Sequence, residues 1–276
     1  GELMRIAKVP DVIARLEEHF ALETNDADVV WSREEFVHRL QGKAGVYVTG
    51  TQPIDAELLV ACPELRAVCS LAVGYNNIDV PACTARGVMV SNAPGVLTET
   101  TADFGFALLM ATARRITESE RFLRRGEWEK WSVDLFAGAD VHGATLGILG
   151  MGRIGQGVAR RGAKGFGMPV IYHNRSRLDA ATEAELGARY VAKAELLATA
   201  DHLVIVVPYT AESHHLVGAA ELAQMKPGAT LVNIARGGVV DDVALAAALR
   251  EGRLAAAGLD VFEGEPTVHR DLLALS

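Results

Sequence analysis

"TLGILGMGRIGQGVARR", residues 145–161, is the stretch on which the fold turns. An apolar run ends at Gly150, Gly152 and Gly155, spaced GxGxxG, and an amphipathic stretch follows. In a strand–turn–helix unit the first glycine permits the tight turn. The second lets backbone approach a pyrophosphate, and the third lets helix and strand pack closely. The free amides at the helix start then face the phosphates, helped by the helix dipole. A merely tight turn would explain glycines alone, but the strand before them and the helix after them make a dinucleotide site the expected reading.

The next strand sharpens this. In such a unit the second strand ends in Asp or Glu about 20 residues past the glycines, where the acid bonds a ribose 2′-OH. Here "PVIYHNRSRL", residues 169–178, carries Asn174, Arg175, Ser176 and Arg177 at its tip and no acid. An acid would repel a 2′-phosphate, whereas arginine accommodates one through charge-assisted hydrogen bonds. The tip is therefore expected to favour NADP(H) over NAD(H), the alternative being a solvated turn.

Outward from this unit the chain alternates strands and helices. "RIAKV", "GVYVT", "RAVCSLA" and "VMVSN" read as buried strands before residue 97, divided by helices such as "DVIARLEEHF" and "SREEFVHRL". A long helix is expected from Thr98 to Trp128, with Thr98 or Thr100 as cap. Then "TLGILG", "PVIYHN", "HLVIVVP", "TLVNIA" and "AAGLDVF" follow. Apolar strands separated by amphipathic helices mark parallel sheets covered on both faces. Two such series imply two α/β domains, 1–97 and 98–276, with a cleft between them.

The net charge of −8 argues against a general nucleic-acid binder. Three cysteines, Cys62, Cys69 and Cys83, form no CxxC pair, so neither disulfides nor a zinc site is expected, and a reducing cytoplasm fits best. No apolar run reaches the roughly 18 residues of a membrane span. The start, "GELMRIAKVPD", lacks the features of a signal peptide, and its first three residues read as a tag remnant before Met4.

"LVNIARGGVVDD" places Arg236 just past a buried strand, at the rim where ligands bind in open α/β sheets. Its guanidinium is a natural fork for a carboxylate and an adjacent carbonyl, the alternative being a structural ion pair. "GLDVFEGEP" puts Asp260 and Glu265 beyond the next strand. Two acids at a rim could hold a metal, but the nearby histidines show no ligand spacing, so no metal is expected.

These segments, with "LAVGYNNIDV", "GVLTETTADFGFALLMATARR", "GEWEKW" and "MKPGATLVNIARGGVVDD", resemble the D-isomer-specific 2-hydroxyacid dehydrogenases in order and over nearly the whole chain. The "HNRS" turn is most similar to the glyoxylate/hydroxypyruvate reductase and 2-ketogluconate reductase branch. The resemblance implies two doubly wound parallel-sheet domains. One is a flavodoxin-like substrate domain over 1–97 lacking its C-terminal return segment, and the other a Rossmann domain over 98–276. It implies an NADPH-preferring reductase of small 2-keto acids that forms a homodimer and binds neither nucleic acid nor membrane. Arg236 would hold the substrate, Glu265 would bond a catalytic histidine, and Val73 and Gly74 would seat the carboxylate. Thr101, Arg153, Ile154, Val207, Pro208, Ile234, Ala235 and Asp260 would contact the cofactor, with Asp260 on the nicotinamide amide. Trp131 falls in a segment that forms a dimer arm in relatives, the alternative being core packing. A dinucleotide-sensing corepressor, or a formate- or phosphite-type dehydrogenase, would carry many of the same residues.

One expected residue is missing. The family's catalytic histidine follows the "GEP" segment in a Pro-His loop, and the sequence stops at Ser276 before one. His269 lies four positions past Glu265 without the preceding proline, His214 and His215 sit in "ESHHLVG" at an expected surface helix start, and His173 belongs to the cofactor strand. The expectation is a truncated form of an active reductase that reduces keto acids very slowly.

Overall fold

The computed structural model describes residues 10–25, 29–50 and 52–275. The strand expected at residues 5–9 lies outside them. The chain falls into two compact units, Gly1–Leu97 and Thr98–Ser276.

The first unit contains α1 (Pro10–Glu17), α2 (Arg33–Leu40), β1 (Gly45–Val48), α3 (Ala56–Ala61), β2 (Ala67–Ser70), α4 (Val80–Ala85) and β3 (Met89–Ser91). The last three helices start where a short polar side chain can accept an orphan amide. Ser32 accepts from Glu35 N, Asp55 from Leu58 N and Asp79 from Ala82 N, at 3.2, 2.8 and 2.9 Å. The strands pair in parallel in the order β1-β2-β3, with Val46 opposite Val68 and Val68 opposite Val90. Phe36, Val48, Ile54, Leu58 and Val68 form the buried centre. All three cysteines are free, and burial pushes the Cys62 and Cys83 thiols up, away from thiolate chemistry.

In the second unit the helix expected over 98–128 is two helices, α5 (Thr98–Ala113) and α6 (Ile116–Arg124). The break has a local cause. Arg115 turns left-handed at φ 56° and pairs through two hydrogen bonds of 2.7 Å with Glu118, while Ala139 N caps the freed Ala113 carbonyl at 2.9 Å. Then come β4 (Leu146–Leu149), α7 (Arg153–Arg160) running into a π turn at Arg161–Gly165, β5 (Val170–His173), α8 (Ala180–Leu186) and β6 (Ala188–Tyr190). The rest is α9 (Lys193–Thr199), β7 (His202–Ile205), α10 (Ala219–Gln224), β8 (Thr230–Asn233), α11 (Asp242–Arg250), β9 (Ala256–Leu259) and α12 (Arg270–Leu273). The short β6 has too little apolar run to register as a strand in the sequence.

The six strands are all parallel in the order β6-β5-β4-β7-β8-β9. Side chains alternate between two cores. Leu146, Ile148, Val170, Tyr172, Val204 and Val232 join Ala102, Phe106 and Leu109 of α5 and Val158 of α7. Leu149, Ile171, Leu203, Ile205 and Leu231 join Leu196 of α9, Leu222 of α10 and Leu245 of α11. This period of two, with both sets buried, is why the strands read as continuous apolar runs. Strand order reverses at β4, so the binding edge lies at the carboxyl ends beside it. Among the described residues no helix is long and apolar enough to cross a membrane.

Candidate dinucleotide and substrate site

The three glycines after β4 do three different things. Gly150 sits at φ +105° with its N–H on His173 O at 3.0 Å, and a Cβ there would lie 2.6 Å from Val206 O. A Cβ on Gly155 would stand 2.2 Å from Gly150 O, so only glycine lets α7 approach the turn. Gly152, the residue preceding α7, has ordinary backbone angles and nothing within 4 Å of its would-be Cβ. The fold makes no demand for glycine at that position. The open space adjoins the start of α7, whose first amides have no intrahelical partner, as a pyrophosphate requires. The residues present fit a dinucleotide.

Arg153 is exposed and Ile154 half-buried on the first turn of α7. Thr101 lies half-buried on α5, one residue before Ala102, whose Cβ a side chain at Gly157 of α7 would meet at 2.7 Å. Arg160 and Arg161 fasten the same two helices through Glu99 and Asp103. Beyond β7, Val207 is half-buried and Pro208 exposed. Ile234 and Ala235, expected at the cofactor, have their side chains in the two cores.

The tip of β5 divides its four polar residues. Asn174 Oδ1 accepts from Met151 N at 2.6 Å, so this side chain braces the glycine loop. Arg177 donates to both carboxylate oxygens of buried Glu183, at 2.9 and 2.6 Å, and Tyr172 donates to the same group at 2.7 Å. Burial, then the Glu183 hydrogen bond, pushes the Tyr172 phenol up to about 12. Asn174 and Arg177, expected near a phosphate, thus each have a structural partner. Arg175 and Ser176 are exposed, and among the described residues Arg175 makes no hydrogen bond or ion pair.

Past β8, Asn233 builds the turn that presents Arg236. Its buried carboxamide accepts from Ala235 N at 3.0 Å and donates to Arg236 O at 3.3 Å. The Arg236 guanidinium touches only the Ala235 carbonyl, at 2.8 Å, and among the described residues it has no acidic partner. A Cβ on Gly237 would lie 1.8 Å from Phe262 O, so this glycine serves the close approach of the loop after β9.

That loop carries exposed Asp260 and Glu265. Asp260 N donates to Asn233 O at 3.1 Å, and Glu265 Oε1 accepts from Phe262 N at 2.6 Å. Among the described residues no histidine pairs with Glu265. The Nδ1 of His269 is buried and has no hydrogen-bond partner among the described residues. The unexpected neighbour is His215, whose Nε2 lies 2.9 Å from Glu263. It does not start a helix but precedes the bridge of Val217 with Val240. No local pattern could have revealed this, since 48 residues separate the partners.

In the first unit Val73 and Gly74 are half-buried after β2, and Asn92 donates to Val73 O at 2.8 Å. Trp131 is 76% exposed, which excludes core packing within this chain.

Residues 106–276 match the family model described as D-isomer specific 2-hydroxyacid dehydrogenase, NAD binding domain. This chain belongs to that family. It is 47% identical to a glyoxylate reductase of Thermococcus onnurineus over 97% of this chain and 81% of the relative. It is 49% identical to a glyoxylate reductase of Korarchaeum cryptofilum over 92% and 76% of the two chains. Among solved structures it is similar to an NADPH-dependent glyoxylate/hydroxypyruvate reductase from Sinorhizobium meliloti in complex with NADP and malonate. That similarity has a TM-score of 0.81 at 36% identity, covering 96% of this chain and 80% of the other. As a 2-hydroxyacid dehydrogenase the protein is an oxidoreductase with a Rossmann domain for a nicotinamide dinucleotide.

Proposed function

We propose that this dehydrogenase is an NADPH-preferring reductase of small 2-keto acids of the glyoxylate, hydroxypyruvate or 2-ketogluconate type, giving the D-2-hydroxy acid where the product is chiral. The observation that carries the reading is Arg236. It is a guanidinium with no acidic partner among the described residues, in a turn held by Asn233 at the carboxyl edge of the sheet that bears the dinucleotide loop. A fork left without an anion fits a carboxylate and the carbonyl next to it. The names of the similar reductases point to the same substrates.

A nicotinamide held by the glycine loop and Asp260 would supply the hydride. Arg236 orients the keto acid and stabilises the alkoxide as charge develops on the carbonyl oxygen. Asp260, exposed at the end of β9, is the proposed partner of the nicotinamide amide. Glu265 is proposed to hold a protonated imidazole that delivers the proton, since a carboxylate beside that ring favours its charged form. Val73 and Gly74 keep their proposed role in backbone recognition of a carboxylate. Arg175 and Ser176 are the proposed ligands of the 2′-phosphate. The exposed Trp128, Trp131 and Val133 support a homodimer through this segment.

Initial rates with glyoxylate, hydroxypyruvate and 2-ketogluconate, each with NADPH and NADH, test the reading. Turnover of at least one acid with NADPH favoured is expected. Dinucleotide binding by the whole protein without even slow turnover across the panel would sink it in favour of a sensor.

A further inference from the structure

Three loops meet at His215. Its backbone N donates to Gly238 O at 2.7 Å, in the turn that presents Arg236. Its ring, delivered by a left-handed backbone at φ 49°, places Nε2 2.9 Å from Glu263 and Nδ1 3.8 Å from Asp241. Glu263 is in turn held by its backbone N–H, which donates to Oδ2 of buried Asp242 at 3.1 Å. The same side of the sheet is closed by Val217 N on Val239 O and Asp241 N on Val217 O, both at 3.1 Å. Glu265 stands two residues from Glu263, in the loop whose backbone presses on Gly237.

His214, His215 and Glu263 bring three potential metal-ligand atoms within 4.8 Å of one another. The two imidazoles are nevertheless stacked, 3.9 Å apart and 22° from parallel. Near-parallel rings 3.9 Å apart keep their in-plane lone pairs in separate layers, which disfavours convergence on one ion. Tyr209, at 3.1 Å, also occupies Nδ1 of His214. The cluster is built as a fastening.

We propose that His215 and Glu263 form a latch that positions the Glu265 loop against the Arg236 turn. They are positioning residues for the reduction and touch neither substrate nor cofactor. With its proton on Nε2 the ring donates to Glu263. Without the latch, the loop after β9 is held among the described residues by the Asp260 amide on Asn233 O, the Glu263 amide on the Asp242 carboxylate and the close approach of Phe262 O to Gly237. Glu265 then loses a fixed place relative to Arg236. A displacement near 1 Å at such a distance from the chemistry can lower turnover as much as about 100-fold. This inference rests on the proposed reductase function for its kinetic part only.

Two variants and two readouts test it. Glu263→Ala removes the acceptor, while Glu263→Gln keeps an oxygen for the imidazole. Amide hydrogen exchange across residues 261–267 should speed up in Glu263→Ala and stay near the parent rate in Glu263→Gln. With glyoxylate or hydroxypyruvate, kcat should fall about tenfold in Glu263→Ala and recover in Glu263→Gln, while KM for the keto acid and the Kd of NADPH change less than twofold. Unchanged exchange in Glu263→Ala overturns the latch. Faster exchange with parental kcat overturns its positioning role. A whole protein without even slow turnover of any keto acid refutes the reductase reading and positioning with it, while exchange still decides the latch.

Discussion

The two halves of the second unit's binding edge are held together differently. Around β4 and β5 the shape is fixed by backbone. Gly150 turns where only glycine is comfortable, Gly155 admits the helix at a distance no side chain tolerates, and Asn174 braces the loop from the next strand. Around β8 and β9 the shape is fixed largely by side chains reaching between loops, with Asn233 under Arg236, Asp242 on the Glu263 amide and His215 on Glu263. The first half binds a long ligand common to many enzymes and needs a rigid cradle. The second carries the accessible groups proposed to set the chemistry. Substitutions in the first half should act on folding or on dinucleotide affinity, and those in the second on turnover.

The largest effect is expected from Gly155→Ala, whose Cβ would meet Gly150 O at 2.2 Å. It should destabilise the second unit by about 3 kcal/mol or more, read as a lowered melting temperature with loss of dinucleotide binding. Parental stability in this variant would show the cradle to be softer than its backbone suggests. On the other half, Arg236→Lys keeps the charge but loses the fork. Keto-acid turnover should fall about 100-fold, with NADPH affinity within twofold by fluorescence titration. Near-normal turnover would reassign Arg236 to the fold.

Gly152→Ala sharpens the contrast within the cradle, because nothing surrounds its would-be Cβ. Melting should stay at the parent value while dinucleotide affinity drops about tenfold. The two arginines of the β5 tip separate in the same way. Arg175→Ala should weaken NADPH about tenfold and leave NADH unchanged. Arg177→Ala should leave NADPH affinity alone and lower stability, since its partner is buried Glu183.

The smallest effect is in pH. The Tyr172 phenol has its folded pKa raised from 10.0 to about 12. Its protonated form is the one the fold favours, so its contribution is complete below pH 10 and is lost as pH rises through about 12. The stability gap between the parent and Tyr172→Phe should be flat up to pH 10 and narrow above it, as measured by denaturant melts.

The sequence alone determined the second unit to a large extent. Apolar strands buried on both faces, the GxGxxG turn and the missing acid at the β5 tip are local signals. They are legible because their physics acts over a few neighbouring residues: side-chain period, backbone angles and the charge at one strand end. The segments in family order extended that reading to Arg236 and Glu265. Where a signal is short it failed, as with the three-residue β6 and the break at Arg115, which depends on a carbonyl capped from residue 139. Tertiary structure alone decided which polar side chains are spent on the fold. Asn174 and Arg177 look alike with Arg175 in sequence, yet only contacts with Met151 and Glu183 show that two of the three are engaged. The pairing of His215 with Glu263 spans 48 residues and arises because parallel strands bring the ends of distant βα units to one edge. Hydrogen bonds and ion pairs between such loops carry no periodic trace in the chain. They are set by where the sheet places the loops, and that is settled only when the strands have paired.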